Sequence, residues 1–314
     1  MSGKASLAIV IPAYKSKFFD LALDSICRQT DKRFHLYIGD DNSPEPLYDI
    51  VSKYSGNVPI TYKRFGENLG REDLVAHWER CIDLAGDEEY VWLFSDDDVM
   101  EKTCVADFYD ELDKNPGKPL YHFNTKIING RNEVVTPKGY DKLDFPRHTS
   151  QKEYLMWRLY FKVNSFAVEY IFRKADFLKM GRFVKFDLAW GSDDATWLSL
   201  AKEKGIYTIA GSKVMWRISD VNISPNNSRG TVRRKLEATL AYLSFVNGKV
   251  RMPRTDAAIY NYWLHSIYNS CKFISWKDTV ALNNKFMEQY GTTGVRRMEL
   301  YLINLMSRIY NCKR

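Results

Sequence analysis

The chain has 314 residues, 45% of them hydrophobic, 14% aromatic and 27% charged. That length admits one large α/β domain with an appendage, or two domains, and the aromatic content excludes a disordered chain. The net charge of +7 is unevenly placed: residues 229–314 carry 15 Lys+Arg against 5 Asp+Glu, a balance of +10, which leaves −3 for residues 1–228. A basic tail suits a phosphate-rich or anionic-lipid partner, or is simply a solvated helical surface. No run approaches the roughly 18 consecutive apolar residues that cross a bilayer. Cys27, Cys81, Cys104, Cys271 and Cys312 are scattered without a CxxC pair, so neither a disulfide framework nor a structural zinc site is expected.

In chain order, Leu-Ala-Ile-Val-Ile at 7–11 is an unbroken apolar run ended by Pro12, which suits a buried parallel strand. It reads as a first strand and not as a signal peptide, so a cytoplasmic location is expected. Residues 19–30 read as a helix, 34–41 as a second apolar run ending in acid, 46–55 as a helix and 60–65 as a strand. Residues 71–86 space Leu74, Val75, Trp78, Cys81 and Ile82 as a helix closed by Gly86, and 90–98 form a third apolar run ending in acid. Strands are expected again near 119–128, 165–174 and 206–211, and helices at 152–161 and 193–205. Residues 130–150 read as a loop or lid. From about 231 the chain turns helical and aromatic, with a boundary placed near 228. Strand–helix alternation predicts an α/β fold with a mainly parallel sheet and helices on both faces, followed by a C-terminal helical region. Ligands of such sheets sit beyond the carboxyl ends of the strands, where both acidic clusters fall.

Three clusters carry chemistry. Asp96-Asp97-Asp98 after a buried strand is unfavourable without a cation, and hard divalent cations bind carboxylates while bridging to substrate phosphates. The plainer reading is an acidic helix cap. Asp40-Asp41-Asn42-Ser43 can accept from a nucleobase or ribose, or can be an ordinary turn. Asp193 or Asp194, at the start of a predicted helix, suits a general base or again a cap.

The ordered set LAIVIPAYK, FHLYIGDDNSPE, NLG, YVWLFSDDDVM and WGSDDATWLSLA resembles glycosyltransferase family 2 over about residues 7–225. The resemblance implies the GT-A fold: a nucleotide-binding half over 1–120, an acceptor-binding half over 121–228, and here a basic helical region over 229–314. It implies an inverting transferase that moves a sugar from a nucleotide-diphosphate donor, UDP by family habit, to a glycan or lipid-linked acceptor of a bacterial surface polysaccharide. Carried over motif by motif, Pro12, Ala13 and Tyr14 lie beside the nucleotide. Asp40 and Asp41 contact the base, with Asn42 standing where the family has glycine; Asn also accepts left-handed turn geometry. Asp96 contacts the ribose, Asp97 binds Mn2+ or Mg2+, and Asp98 supports or joins it. Asp193 is the base, or Asp194 if the register shifts by one.

Arg71 after the NLG turn is a diphosphate candidate. Ser219 stands where many members have a metal- or diphosphate-binding histidine, so Arg217 is a candidate to offset the leaving charge and Asp220 a replacement ligand. His77 reads as a structural histidine or one that approaches the donor. Two other readings stand beside this one: a haloacid-dehalogenase-like phosphatase using Asp96-Asp97-Asp98-Val99, and an inactive relative that only binds nucleotide. No nucleic-acid partner is expected. Val295, Met298, Leu302, Leu305, Met306 and Ile309 form a helical stripe, with Arg296, Arg297 and Arg308 off it. Such a stripe packs on the globular body, joins a homodimer or lies on a membrane surface.

Overall fold

A computed structural model describes residues 6–219, 226–250, 252–291 and 294–311. The first half runs β1 (Leu7–Ala13), α1 (Phe19–Cys27), β2 (Phe34–Asp40), α2 (Leu47–Ser52), β3 (Ile60–Arg64), α3 (Leu74–Ile82) and β4 (Tyr90–Leu93). A two-residue β5 (Val99–Met100) leads to α4 (Cys104–Lys114), β6 (Leu120–Ile128), β7 (His148–Thr149) and α5 (Gln151–Leu159). Then come β8 (Tyr170–Arg173), α6 (Lys174–Lys179), α7 (Ser192–Leu200) and β9 (Ile206–Arg217). The helices α8 (Arg229–Lys249), α9 (Thr255–Ser270), α10 (Trp276–Tyr290) and α11 (Gly294–Asn311) follow.

The sheet has the order β3-β2-β1-β4-β8-β6-β9-β5, with β7 on β9. β1 pairs in parallel with β2 and β4, and β2 with β3. This is why β1 and β4 are apolar throughout: both faces of each strand are covered. β8 enters antiparallel between β4 and β6, while β6 and β9 run parallel. An apolar run carries no record of its direction, so the antiparallel insertion was not legible. The α4 helix has no counterpart among the expected elements, while α10 falls inside the stretch expected to be helical from about 231, without a span of its own. In α10 a polar centre obscures the periodicity, yet Asn283 there is buried and accepts from the Trp263 indole at 2.9 Å.

Ser228 caps α8 by accepting from the Thr231 N–H, at the place where a boundary was expected. Packing nonetheless runs across that point. Leu236, Leu240, Leu243 and Trp263 share one core with Leu93, Leu155 and Trp197. Cys27, Cys81, Cys104 and Cys271 are buried and in no disulfide among the described residues; Cys312 lies outside them. No described helix is long and apolar enough to cross a membrane.

The stripe on α11 does not pack on the body, which corrects one of its three expected fates. Val295, Met298, Leu302, Leu305 and Met306 are 47–76% exposed, whereas Leu300 is buried. The opposite face docks because it carries the polar anchors: Tyr301 donates to Asn284 at 2.8 Å, and Tyr260 donates to Glu299 at 2.8 Å. The side chains of Arg308 and Ile309 lie outside the described ones.

Candidate active site

Parallel pairing brings the carboxyl ends of β1, β2 and β4 to one edge, and a cavity of ≈ 930 Å³ opens there. Pro12, Tyr14, Asp41, Arg71, Asp96, Asp97, Asp98, Asp193 and Asp194 all line it. Residues more than 150 positions apart in sequence thus share one wall. Ala13, Asp40 and Arg217 are fully buried and lie outside the cavity lining.

Asp40 fastens the turn after β2. Its Oδ1 accepts from the Ser43 N–H at 2.7 Å and its Oδ2 from the Tyr62 hydroxyl. Asn42, at φ 54°, takes the left-handed geometry expected of it. Asp41 faces the cavity and ties the NLG turn to the strand end. It accepts from the Leu69 N–H at 3.0 Å and the Gly70 N–H at 2.8 Å, and it pairs with Arg80. Gly70 is needed for this approach, because a Cβ there would lie 2.7 Å from Asp41 Oδ2. His77 is buried 3.3 Å from Asp41 and receives a hydrogen bond from Arg80. Burial first, then the Arg80 charge, hold His77 down at about 3, so it is neutral at pH 7. Arg71 is exposed at the cavity wall.

The Asp96–Asp98 cluster is held mostly by backbone. Asp96 Oδ2 accepts from the N–H groups of Tyr14 and Lys15 at 2.8 and 2.9 Å. Asp98 Oδ1 accepts from the Arg217 N–H at 2.6 Å. Asp97 Oδ1 accepts from the Ser95 hydroxyl. Arg217 sits beneath the cluster. Its guanidinium donates to the carbonyls of Asp97 (2.6 Å) and Asn129 (2.8 Å) and lies 4.3 Å over the Phe18 ring. Its place is under the Asp97–Asp98 turn, outside the cavity lining. Burial and the Asp97 charge push Asp96 up to about 6 and hold Asp98 well above the usual carboxylate range.

A divalent cation relieves this repulsion, and the donor set fits one. Oδ2 of Asp97 and Oδ2 of Asp98 accept no hydrogen bond among the described residues. No three His, Cys, Asp or Glu side chains among the described residues close on one point. A cation held here would therefore rest on one or two carboxylates, with phosphate and water completing its shell. Ser219 lies outside the cavity lining, and Asp220 outside the described residues.

At the other end of the cavity, α7 opens with Asp193 and Asp194 in its first turn, where the helix dipole favours anions. The segment before it is strained: Leu188 and Ala189 have φ of 57° and 55°, and Gly191 has φ 84°. Arg234 of α8 clamps this segment by pairing with Asp187 through two hydrogen bonds of 2.6 and 2.8 Å. The two acids then diverge. Asp194 is buried and committed: Arg158 donates to both its oxygens at 2.6–3.1 Å, and Tyr154 donates to Oδ1 at 2.7 Å. Asp193 is partly exposed to the cavity and accepts no described side-chain hydrogen bond. Burial and the adjacent Asp194 charge push it up to about 7.

Sequence reading missed Arg80, Arg158, Tyr154 and Lys15. Arg80 follows His77 by one helical turn, so its shared face was readable. Arg158 and Tyr154 lie four apart on the predicted 152–161 helix, but nothing in the sequence tied that helix to Asp194. Thr239, Tyr242 and Tyr262 bring the C-terminal helices into the cavity wall.

Comparison with known proteins follows the same outline. The sequence model described as "Glycosyl transferase family 2" matches residues 8–174. The chain belongs to glycosyltransferase family 2. No curated protein matches it by sequence. Among solved structures, S. aureus TarS 1-349 in complex with UDP-GlcNAc aligns at 13% identity and TM-score 0.63, over 90% of this chain and 89% of that one. The mannosyltransferase PcManGT from Pyrobaculum calidifontis, in complex with GDP-Man and Mn2+, aligns at 11% identity and TM-score 0.51, over 99% and 88%. GalNAc-T7 with UDP, GalNAc and Mn2+ aligns at 13% and TM-score 0.57, over 98% and 58%. The fold of this family-2 glycosyltransferase is GT-A with added C-terminal helices. Family membership sets aside the phosphatase reading of Asp96-Asp97-Asp98-Val99.

Proposed function

We propose that this glycosyltransferase moves a sugar from a nucleotide-diphosphate donor, UDP in the first instance, to a hydroxyl of a glycan or lipid-linked acceptor with inversion. The observation that carries the mechanism is the contrast within one helix turn: Asp194 is paired on both oxygens, while Asp193 faces the cavity with a carboxyl raised to about 7. A base with a pKa near the working pH is well placed to take a proton. The acceptor oxygen attacks the anomeric carbon, Asp193 takes the hydroxyl proton, and the bond from that carbon to the diphosphate oxygen breaks in the same displacement. Asp194, paired with Arg158, orients the helix start and keeps the Asp193 carboxyl raised.

At the donor end, Pro12, Tyr14 and Asp41 border the nucleotide, and Asp96 offers its remaining oxygen to the ribose. Arg71 at the cavity wall suits the diphosphate. Asp97 and Asp98 would hold Mn2+ or Mg2+, which supplies positive charge against the leaving diphosphate when bound. The Mn2+ in the PcManGT and GalNAc-T7 complexes and the UDP in those of TarS and GalNAc-T7 support this assignment.

The deciding experiment compares Asp193→Asn with Asp194→Asn, using UDP-sugar hydrolysis with Mn2+ and UDP binding by calorimetry. Asp193→Asn is expected to keep UDP binding and lose turnover. A larger loss in Asp194→Asn with folding intact moves the base by one residue. Mn2+-dependent UDP binding without any hydrolysis by the native protein points instead to an inactive relative.

A further inference from the structure

The exposed stripe on α11 takes no part in the cavity. Five apolar side chains, Val295, Met298, Leu302, Leu305 and Met306, point away from the body along one line. An exposed apolar face of this kind marks a contact site. Two features identify what covers it.

The first is area. The five apolar side chains, exposed by about half to three-quarters, offer roughly 500 Å² of accessible surface. A stable protein interface needs about 800 Å² per partner, so this face by itself is too small to hold a second copy. A bilayer sets no such minimum, because each buried apolar group contributes in proportion to its own area. The second is charge. Residues 229–314 carry a balance of +10. Two copies meeting through this region would repel, whereas an anionic surface is attracted. Within α11, Arg297 is exposed beside the stripe, and the helix's one acid, Glu299, is occupied by Tyr260.

We infer that α11 lies on an anionic membrane surface, with the stripe inserted among the lipids and Arg297 at the headgroups. The inference does not depend on the transferase reading, because no described α11 side chain lines the cavity.

Flotation of the full chain with vesicles tests it. One set contains phosphatidylglycerol and phosphatidylcholine in equal parts, the other phosphatidylcholine alone. Binding is expected to the anionic set only, and to weaken as salt rises, because screening shortens the reach of the charges. Leu302→Asp/Leu305→Asp is expected to lower that binding by roughly tenfold or more, since two buried leucines are replaced by charges that lipid repels. Both positions are half exposed, so the melting temperature should fall only modestly, and unchanged UDP binding shows that the variant still folds. Absence of binding to anionic vesicles at low salt overturns the inference. So does light scattering that shows a dimer abolished by the same variant.

Discussion

On the Asp96–Asp98 side of the cavity Asp96 and Asp98 are held by backbone N–H groups, whereas at the start of α7 Asp194 is held by the side chains of Arg158 and Tyr154. Both ends crowd carboxylates, and both raise a carboxyl above its ordinary range. Backbone donors fix a carboxylate without neutralising the cluster, so charge remains there for a cation to offset. A guanidinium neutralises one acid of a pair and leaves its neighbour to carry the proton. The same crowding therefore suits metal and diphosphate binding at one end and proton transfer at the other.

Four changes break or sharpen that contrast. The largest effect is expected from Asp193→Asn, with a loss of about 10²–10⁴-fold in turnover and UDP binding kept. Its pH signature follows from the raised carboxyl. The folded state holds the proton up to about 7, while an unfolded Asp releases it near ~3.9. Between those values the folded state binds more protons, so stability falls as pH rises and levels off above 7. Turnover, which needs the carboxylate, rises through the same point. Asp193→Asn should lessen the stability slope in urea titrations run at several pH values, with the remainder belonging to Asp96 and Asp98; an unchanged slope assigns it to those two groups alone.

Next is Arg158→Met, which leaves Asp194 buried without its cation. Breaking one side of a buried pair typically costs about 3–5 kcal/mol. The Arg158 charge also lowers Asp193, so the acid limb of the turnover profile should move to higher pH in the fraction that stays folded. Arg217→Met, at the other end, removes donors to two backbone carbonyls and should cost about 1.5–3 kcal/mol. It should weaken Mn2+-dependent UDP binding and leave the acid limb in place. If both variants move that limb equally, the two ends are not separate in function. The smallest effect is expected from Tyr154→Phe, about 1 kcal/mol by chemical denaturation, because Arg158 still reaches the oxygen that loses the hydroxyl.

The sequence by itself determined the strands that end in acid, their parallel start, and therefore the edge at which Asp41 and Asp96–Asp98 gather. Period and strand-end chemistry are local, so they can be read residue by residue. Asn42 in a left-handed turn and Arg71 at the cavity wall were likewise legible. The tertiary structure alone decided which acids remain available. Asp40 and Asp41 are adjacent in sequence, yet one is sealed under Tyr62 and the other faces the cavity. Asp193 and Asp194 are adjacent too, and only the arrival of Arg158 from another helix distinguishes them. Arg217, a candidate for the diphosphate charge, lies under the Asp97 carbonyl. In each case the deciding partner is 20 to 120 residues away in sequence. A carboxylate's charge state depends on the burial and the cations that those partners impose, and no local pattern records either.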